Sequence, residues 1–189
     1  EEIFNVVNSL AQNQEATVFR LNRDFKVVQI RENRGRQTFD FVNAELEIKN
    51  LKLPLMGQFQ AENAGLAIAA CLKFLGLCKE QEIKKGLETV KWEGRLEVVS
   101  NHPKMVLDCA HNVASVRNMT LELRQHHIFS RCLVILGLMK DKEVDKIIEI
   151  LSEFGDRFYL IQVNPPRGEE PEKLREKLNK YNKQVQVSE

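Results

Sequence analysis

The sequence predicts a two-part α/β chain: a small antiparallel sheet with helices, then a mainly parallel sheet with covering helices. Three observations predict it. Short apolar runs separated by polar turns crowd the start of the chain. An Ala-rich helical stretch follows. From Leu96 onward, strand and helix patterns alternate.

The elements follow in order. Glu1 to Ala11 places apolar residues at helical spacing. Ala16–Leu21, Phe25–Ile30 and Thr38–Val42 read as strands, with turns at Asn22-Arg23-Asp24 and Glu32-Asn33-Arg34-Gly35. Glu45–Leu55 alternates, with Leu46, Ile48, Leu51, Leu53 and Leu55 apolar. Gln60–Leu75 reads as a helix closed by Gly76, and Ala64, Gly65, Ala67, Ala69 and Ala70 would let a neighbour approach closely. Glu80–Val90 is a more polar helix. Lys91–Gly94 reads as a linker, so two domains are expected, residues 1–91 and 92–189.

In the second part the expected strands are Leu96–Val99, Met105–Leu107, Leu133–Leu136, Tyr159–Val163 and Val185–Val187. The expected helices are Ser115–Gln125, Glu143–Phe154 and Pro171–Tyr181, with Ser115 and Pro171 suited to helix starts.

Composition limits the classes of function. The chain has 189 residues, a 43% hydrophobic fraction and a formal net charge of +1. That balance gives no electrostatic reason for a nucleic-acid or membrane partner. No apolar run approaches the ~20 residues that span a bilayer. Glu1-Glu2-Ile3-Phe4 has neither the basic start nor the apolar core of a signal peptide. Cys71, Cys78, Cys109 and Cys132 form no C-x-x-C pair, so buried, reduced thiols in a cytoplasmic protein are expected. No G-x-x-x-x-G-K-[ST] occurs, so the usual P-loop is absent from these residues.

The chemistry concentrates in two segments, Trp92-Glu93-Gly94-Arg95 and Asp108-Cys109-Ala110-His111-Asn112. The second follows the apolar run Met105-Val106-Leu107. Open α/β sheets bind ligands beyond the carboxyl ends of their strands. Asp108 there could accept ribose hydroxyls, or merely cap a turn. His111 could meet a phosphate or carry a proton, or lie idle on the surface. Asn112 could cap the next helix or orient His111. Arg95 has the forked geometry for phosphate, although most lone arginines are solvated. Trp92 reads as packing at the domain boundary. Asn63 could cap its helix or read a base edge. Asp141-Lys142 reads as a loop and helix start, and Asn164-Pro165-Pro166-Arg167 as a stiff turn with an exposed Arg. His126-His127 reads as a surface helix end. No pair of His or acidic residues has metal-ligand spacing.

A wider set of segments then occurs in a fixed order: Gly57-Gln58-Phe59-Gln60-Ala61-Glu62-Asn63-Ala64, Trp92 to Glu97, Asp108 to Asn112, Leu136-Gly137-Leu138-Met139-Lys140-Asp141-Lys142, and Pro166-Arg167. This set resembles the Mur ligase superfamily, and within it folylpolyglutamate synthase and the bifunctional dihydrofolate synthase. The resemblance runs from about Phe25 to Val187. It implies a Rossmann-like C-terminal domain preceded by the tail of a central ATPase domain. It also implies a cytoplasmic ATP-dependent amide ligase of folate metabolism. ATP phosphorylates a carboxylate, and the amine of glutamate attacks the acyl phosphate. Mg2+ helps neutralise the phosphates. The implied site residues are Asn63 on the adenine side, Arg95 on phosphate, Asp108 on ribose, and His111 near the phosphates with a catalytic role. The Trp92 region would be a hinge whose closure assembles the site.

The chain departs from the family pattern. Phe59 stands where the family usually has His, Glu93 where it has Pro, Cys109 where it has Gly, and Val113 where it has Pro. The resemblance also places the P-loop, the magnesium ligands and a modified lysine upstream, and further elements after Val187. The chain is therefore expected to be the C-terminal portion of such a ligase, binding ATP weakly and catalysing nothing alone, with ATP, folate and glutamate as the substrates of the whole enzyme. The alternatives are a standalone nucleotide-binding or interaction module, or another Mur-type ligase acting on peptidoglycan or cyanophycin.

Overall fold

The structure, a computed structural model, describes residues 2–33, 35–76, 79–126 and 129–188. They form two units, Glu1–Glu93 and Gly94–Glu189. Among the described residues no helix is long and apolar enough to cross a membrane.

The first unit opens with α1 (Glu2–Asn13), none of whose residues is buried. An antiparallel sheet follows, formed by β1 (Phe25–Asn33), β2 (Arg36–Asn43) and β3 (Glu47–Leu53) in the order β1-β2-β3. Alternation drives it: Phe39 and Phe41 of β2, and Ile48, Leu51 and Leu53 of β3, all point into one core. The step from Ile48 to Leu51 breaks the period of two. Asn50, at φ 55°, takes up the extra residue, and its N–H donates to Asp40 Oδ1 at 2.8 Å.

α2 (Gln58–Leu75) lies on this sheet. Ala61, Ala64, Gly65 and Ile68 recur at helical spacing and are buried. Gly65 permits the approach, because a Cβ there would stand 2.3 Å from Val27 Cγ2. Gly76 closes the helix at φ 70°. α3 (Glu80–Thr89) adds Ile83 to the core.

The second unit begins with β4 (Glu97–Asn101) and β5 (Lys104–Leu107), paired antiparallel as a hairpin. α4 (Val113–His126) leads to β6 (Leu133–Leu136), α5 (Val144–Phe154), β7 (Arg157–Leu160), α6 (Pro171–Asn179) and β8 (Gln184–Val187). β6, β7 and β8 form a parallel sheet in that order. Val144, Ile147, Ile148 and Leu151 make the buried stripe of α5, and Leu174 and Leu178 that of α6. They meet Leu136, Phe158 and Leu160 in one cluster. Leu133 and Ile135 alternate out of it and are 52% and 60% exposed.

Several expectations are corrected. Residues 16–20 form no strand, and Leu21 makes only an isolated bridge to Phe25. The segments at 96–99 and 105–107 are not crossover strands of the parallel sheet. The turn between Asn101 and Lys104 is too short for any connection but a hairpin. The strand expected at Tyr159–Val163 is Arg157–Leu160, because its ladder ends where its partner β6 ends, at Leu136. Trp92 is 63% exposed rather than packed. The expected turn residue Arg34, together with Cys78 and His127, lies outside the described residues.

The thiols are less buried than expected. Cys71 and Cys109 are exposed, Cys132 is half-buried, and all three are free. Burial pushes the Cys132 thiol above its ordinary pKa, and the charge of Asp156 adds to this. Iodoacetamide is expected to modify Cys71 and Cys109 at neutral pH and Cys132 only as pH rises. Peptide mass spectrometry over a pH series checks this, and equal early labelling of Cys132 would contradict it.

Candidate functional site

The hairpin register builds the site. Glu97 pairs with Leu107, so Leu96 and Asp108 come next to one another at its open end. Asp108 Oδ2 accepts the Leu96 N–H at 2.8 Å, and Oδ1 accepts the Ala110 N–H at 2.7 Å. The Cys109 N–H donates to the Gly94 carbonyl at 2.8 Å. Asp108 thus ties the loop carrying Arg95 to the loop carrying His111.

The first of these loops is held tightly. Gly94 lies at φ 67° and Leu96 at φ 48°, with the Leu96 side chain 2% exposed. A Cβ on Gly94 would stand 2.5 Å from Cys109 Sγ, so the thiol packs against a position only glycine fits. The Gly94 N–H donates to Glu97 Oε2 at 2.8 Å. Arg95 between them is half-exposed.

The second loop runs into α4. Asn112 is its cap: Asn112 Oδ1 accepts the Ser115 N–H at 2.8 Å. Ser115 Oγ in turn accepts the His111 and Asn112 N–H groups, each at 3.2 Å. The helix therefore starts at Val113, with Ser115 in its first turn rather than at the cap. His111 Nδ1 lies 2.9 Å from the Cys109 carbonyl, which can only accept. A proton on Nδ1 makes that bond and leaves Nε2 as the acceptor of the neutral ring.

Further along, the loops after β6 and β7 are stitched together. The Lys140 N–H donates to the Arg167 carbonyl at 3.0 Å, and the Glu169 N–H to the Leu138 carbonyl at 2.7 Å. A hydrogen bond from Lys142 holds Asp141 below its ordinary pKa, and the Arg167 charge contributes.

The structure thus brings Arg95, Asp108 and His111 onto two linked loops of the second unit. Asn63 belongs to the first unit, exposed near the start of α2, where its Nδ2 donates to Gln60 Oε1 at 3.2 Å. Sequence reading missed the tie between Asp108 and Leu96, although the strand register could have suggested it. It also missed the reciprocal pairing of Asn112 with Ser115, whose three-residue spacing is a capping signal. Among the described residues no group of three or more His, Cys, Asp or Glu could hold a metal ion.

A parallel sheet packed with helices, preceded by a hairpin whose open end carries Asp108, defines an α/β domain. Residues 94–189 match the family described as Mur ligase, glutamate ligase domain, and the chain belongs to that family. Folylpolyglutamate synthase of Lacticaseibacillus casei is 30% identical over 149 residues, covering 76% of this chain and 34% of that protein. The dihydrofolate synthase/folylpolyglutamate synthase of Bacillus subtilis is 28% identical over 136 residues, covering 70% of this chain and 32% of its own length. Among solved structures, Mycobacterium tuberculosis folylpolyglutamate synthase complexed with ADP superposes with a TM-score of 0.93 at 26% identity. That match covers 99% of this chain and 42% of the other. The chain therefore spans about a third of the length of the curated relatives it matches.

Proposed function

We propose that this chain is the C-terminal portion of an ATP-dependent amide ligase that adds glutamate to folate through an acyl phosphate. The single observation that carries the reading is the Asp108 carboxylate linking the Arg95 and His111 loops. Each Asp108 oxygen accepts one backbone N–H, and an ionised carboxylate has about four acceptor sites. Ribose hydroxyls can therefore still donate to it. Arg95, on its glycine turn, supplies the forked donor that suits a phosphate oxygen pair. His111, at the start of α4, adds a donor or a proton carrier where a helix N-terminus favours negative charge. Asn63 is proposed as an adenine contact on its own unit.

In the proposed reaction, the substrate carboxylate attacks the γ-phosphorus of ATP and ADP leaves. The glutamate amine then attacks the acyl carbon, and phosphate leaves as the amide forms. The residues of this chain orient the nucleotide and offset its charge. Mg2+ would help neutralise the nucleotide phosphates. The reading also holds that this chain alone catalyses nothing.

An NMR titration of the chain with Mg-ATP tests the reading. Binding as weak as millimolar, about −4 kcal/mol, is within its range. Shifts at Arg95, Asp108 and His111 are expected. Shifts confined to other residues, or none at saturation, would count against the assignment.

A further inference from the structure

We infer that Glu97 is a positioning residue for Arg95, acting through the backbone turn from which the guanidinium projects. The inference rests on the reading of Arg95 as a phosphate contact. Arg95 sits between two residues with left-handed φ, Gly94 at 67° and Leu96 at 48°. Glycine adopts this conformation freely. Leucine does not, so its surroundings must hold it there. Two carboxylates supply the hold. Asp108 takes the Leu96 N–H from across the hairpin, and Glu97 takes the Gly94 N–H from within the turn, both at 2.8 Å.

Among the described residues the hydrogen bonds of Glu97 and Asp108 come from main-chain N–H groups rather than from Arg95, although Glu97 is only two residues away. Both acids spend their charge on backbone N–H groups, and the guanidinium stays available to an anion. Such bonds to an ionised acceptor are shorter and stronger than neutral ones. Without Glu97, the Gly94 N–H loses its acceptor and the turn can relax toward right-handed conformations. The fraction of molecules presenting Arg95 correctly then falls, and apparent anion affinity falls in proportion. Glu97 thus acts on the ligand without touching it.

The test uses the whole chain and ADP as the probe, with affinity read by NMR titration. The variants are Arg95→Ala, Glu97→Ala, Glu97→Gln and the double variant Arg95→Ala/Glu97→Ala. Glu97→Ala is expected to weaken ADP about three- to tenfold. Glu97→Gln is expected to recover most of that loss, because its amide oxygen can still accept the Gly94 N–H. In the Arg95→Ala background the Glu97→Ala loss should vanish, since the residue being positioned is gone. A Glu97→Ala protein that binds like wild type, or a loss that persists in that background, overturns the proposal.

A second readout needs no ligand. The Gly94 N–H is bonded to Glu97 Oε2, so its hydrogen exchange should be slow in wild type, faster in Glu97→Ala and slow again in Glu97→Gln. A wild-type Gly94 amide that exchanges as fast as an unstructured glycine also overturns the proposal, even if Glu97→Ala fails to fold. Unchanged ADP binding by Arg95→Ala, or no binding by wild type, would instead defeat the phosphate reading, and the Gly94 exchange then judges the hold on the turn by itself.

Discussion

Asp108→Ala is expected to destabilise the second unit by about 2–4 kcal/mol and to weaken nucleotide binding at least tenfold. The substitution removes one carboxylate but two hydrogen bonds, to the N–H groups of Leu96 and Ala110. Bonds to a charged acceptor are worth roughly 1.5–3 kcal/mol each, and partial exposure lets water recover some of the loss. The Leu96 conformation, at φ 48°, loses one of its restraints at the same time. On the proposed reading of Asp108 as a ribose acceptor, binding suffers twice, through the lost acceptor and through the loosened Arg95 turn. Asp108→Asn separates the two effects. Its amide oxygen can keep one backbone bond, so stability should fall less than in the alanine variant. Urea unfolding followed by resonances of residues 94–188 measures the first effect, and ADP titration the second. Melting curves that coincide with wild type would show that Asp108 does not tie the loops together.

The second large effect is expected at Phe158. Phe158→Ala should cost about 3–5 kcal/mol, the usual range for emptying a buried aromatic site. Phe158 is fully buried on the central strand β7, between Val134 and Val185 in parallel register. Its ring edge also lies against Gly155, where an added Cβ would stand 2.8 Å from Cζ. The cavity is bounded on both sides by paired strands, which restricts collapse. Phe158→Leu keeps much of the volume and should cost less. Urea unfolding of both variants checks the order, and a loss below about 1 kcal/mol for the alanine variant would contradict it.

The sequence made the repeating parts of this fold readable. The stripe Val144, Ile147, Ile148, Leu151 has helical period on any reading, and α5 ends at Phe154 as expected. Gly76 and Pro171 mark a helix end and a helix start because their backbones suit those positions. Pairing was harder to see. Ala16–Leu21 has the composition of a strand, yet a strand exists only where another offers its hydrogen bonds. Likewise, the alternation around Val98 and Val106 does not say whether a partner lies in the hairpin or in the parallel sheet.

The candidate site was legible as residue types and positions, not as connections. Asp108 and Arg95 stand out by chemistry and by their place beside apolar runs. That Asp108 would spend both oxygens on main-chain donors depends on register, which no local pattern encodes. The exposed thiol of Cys109 illustrates the same limit. Its neighbours Leu107 and Ala110 suggest burial, whereas its side chain packs on the Gly94 backbone at the surface.

The segment from Asp108 to Val113 has a further consequence for how this protein can vary. Ala110 and Val113 pack against the core of the second unit, while Cys109, His111 and Asn112 are exposed. The loop is therefore divided residue by residue between two kinds of tolerance. At Ala110 and Val113, replacements are sorted by volume, and chemistry is secondary. At His111 and Asn112 they are sorted by the hydrogen bonds they can make, and at Cys109 by their fit against Gly94. A lineage could change the reactivity of this loop in single steps and leave its foundation alone.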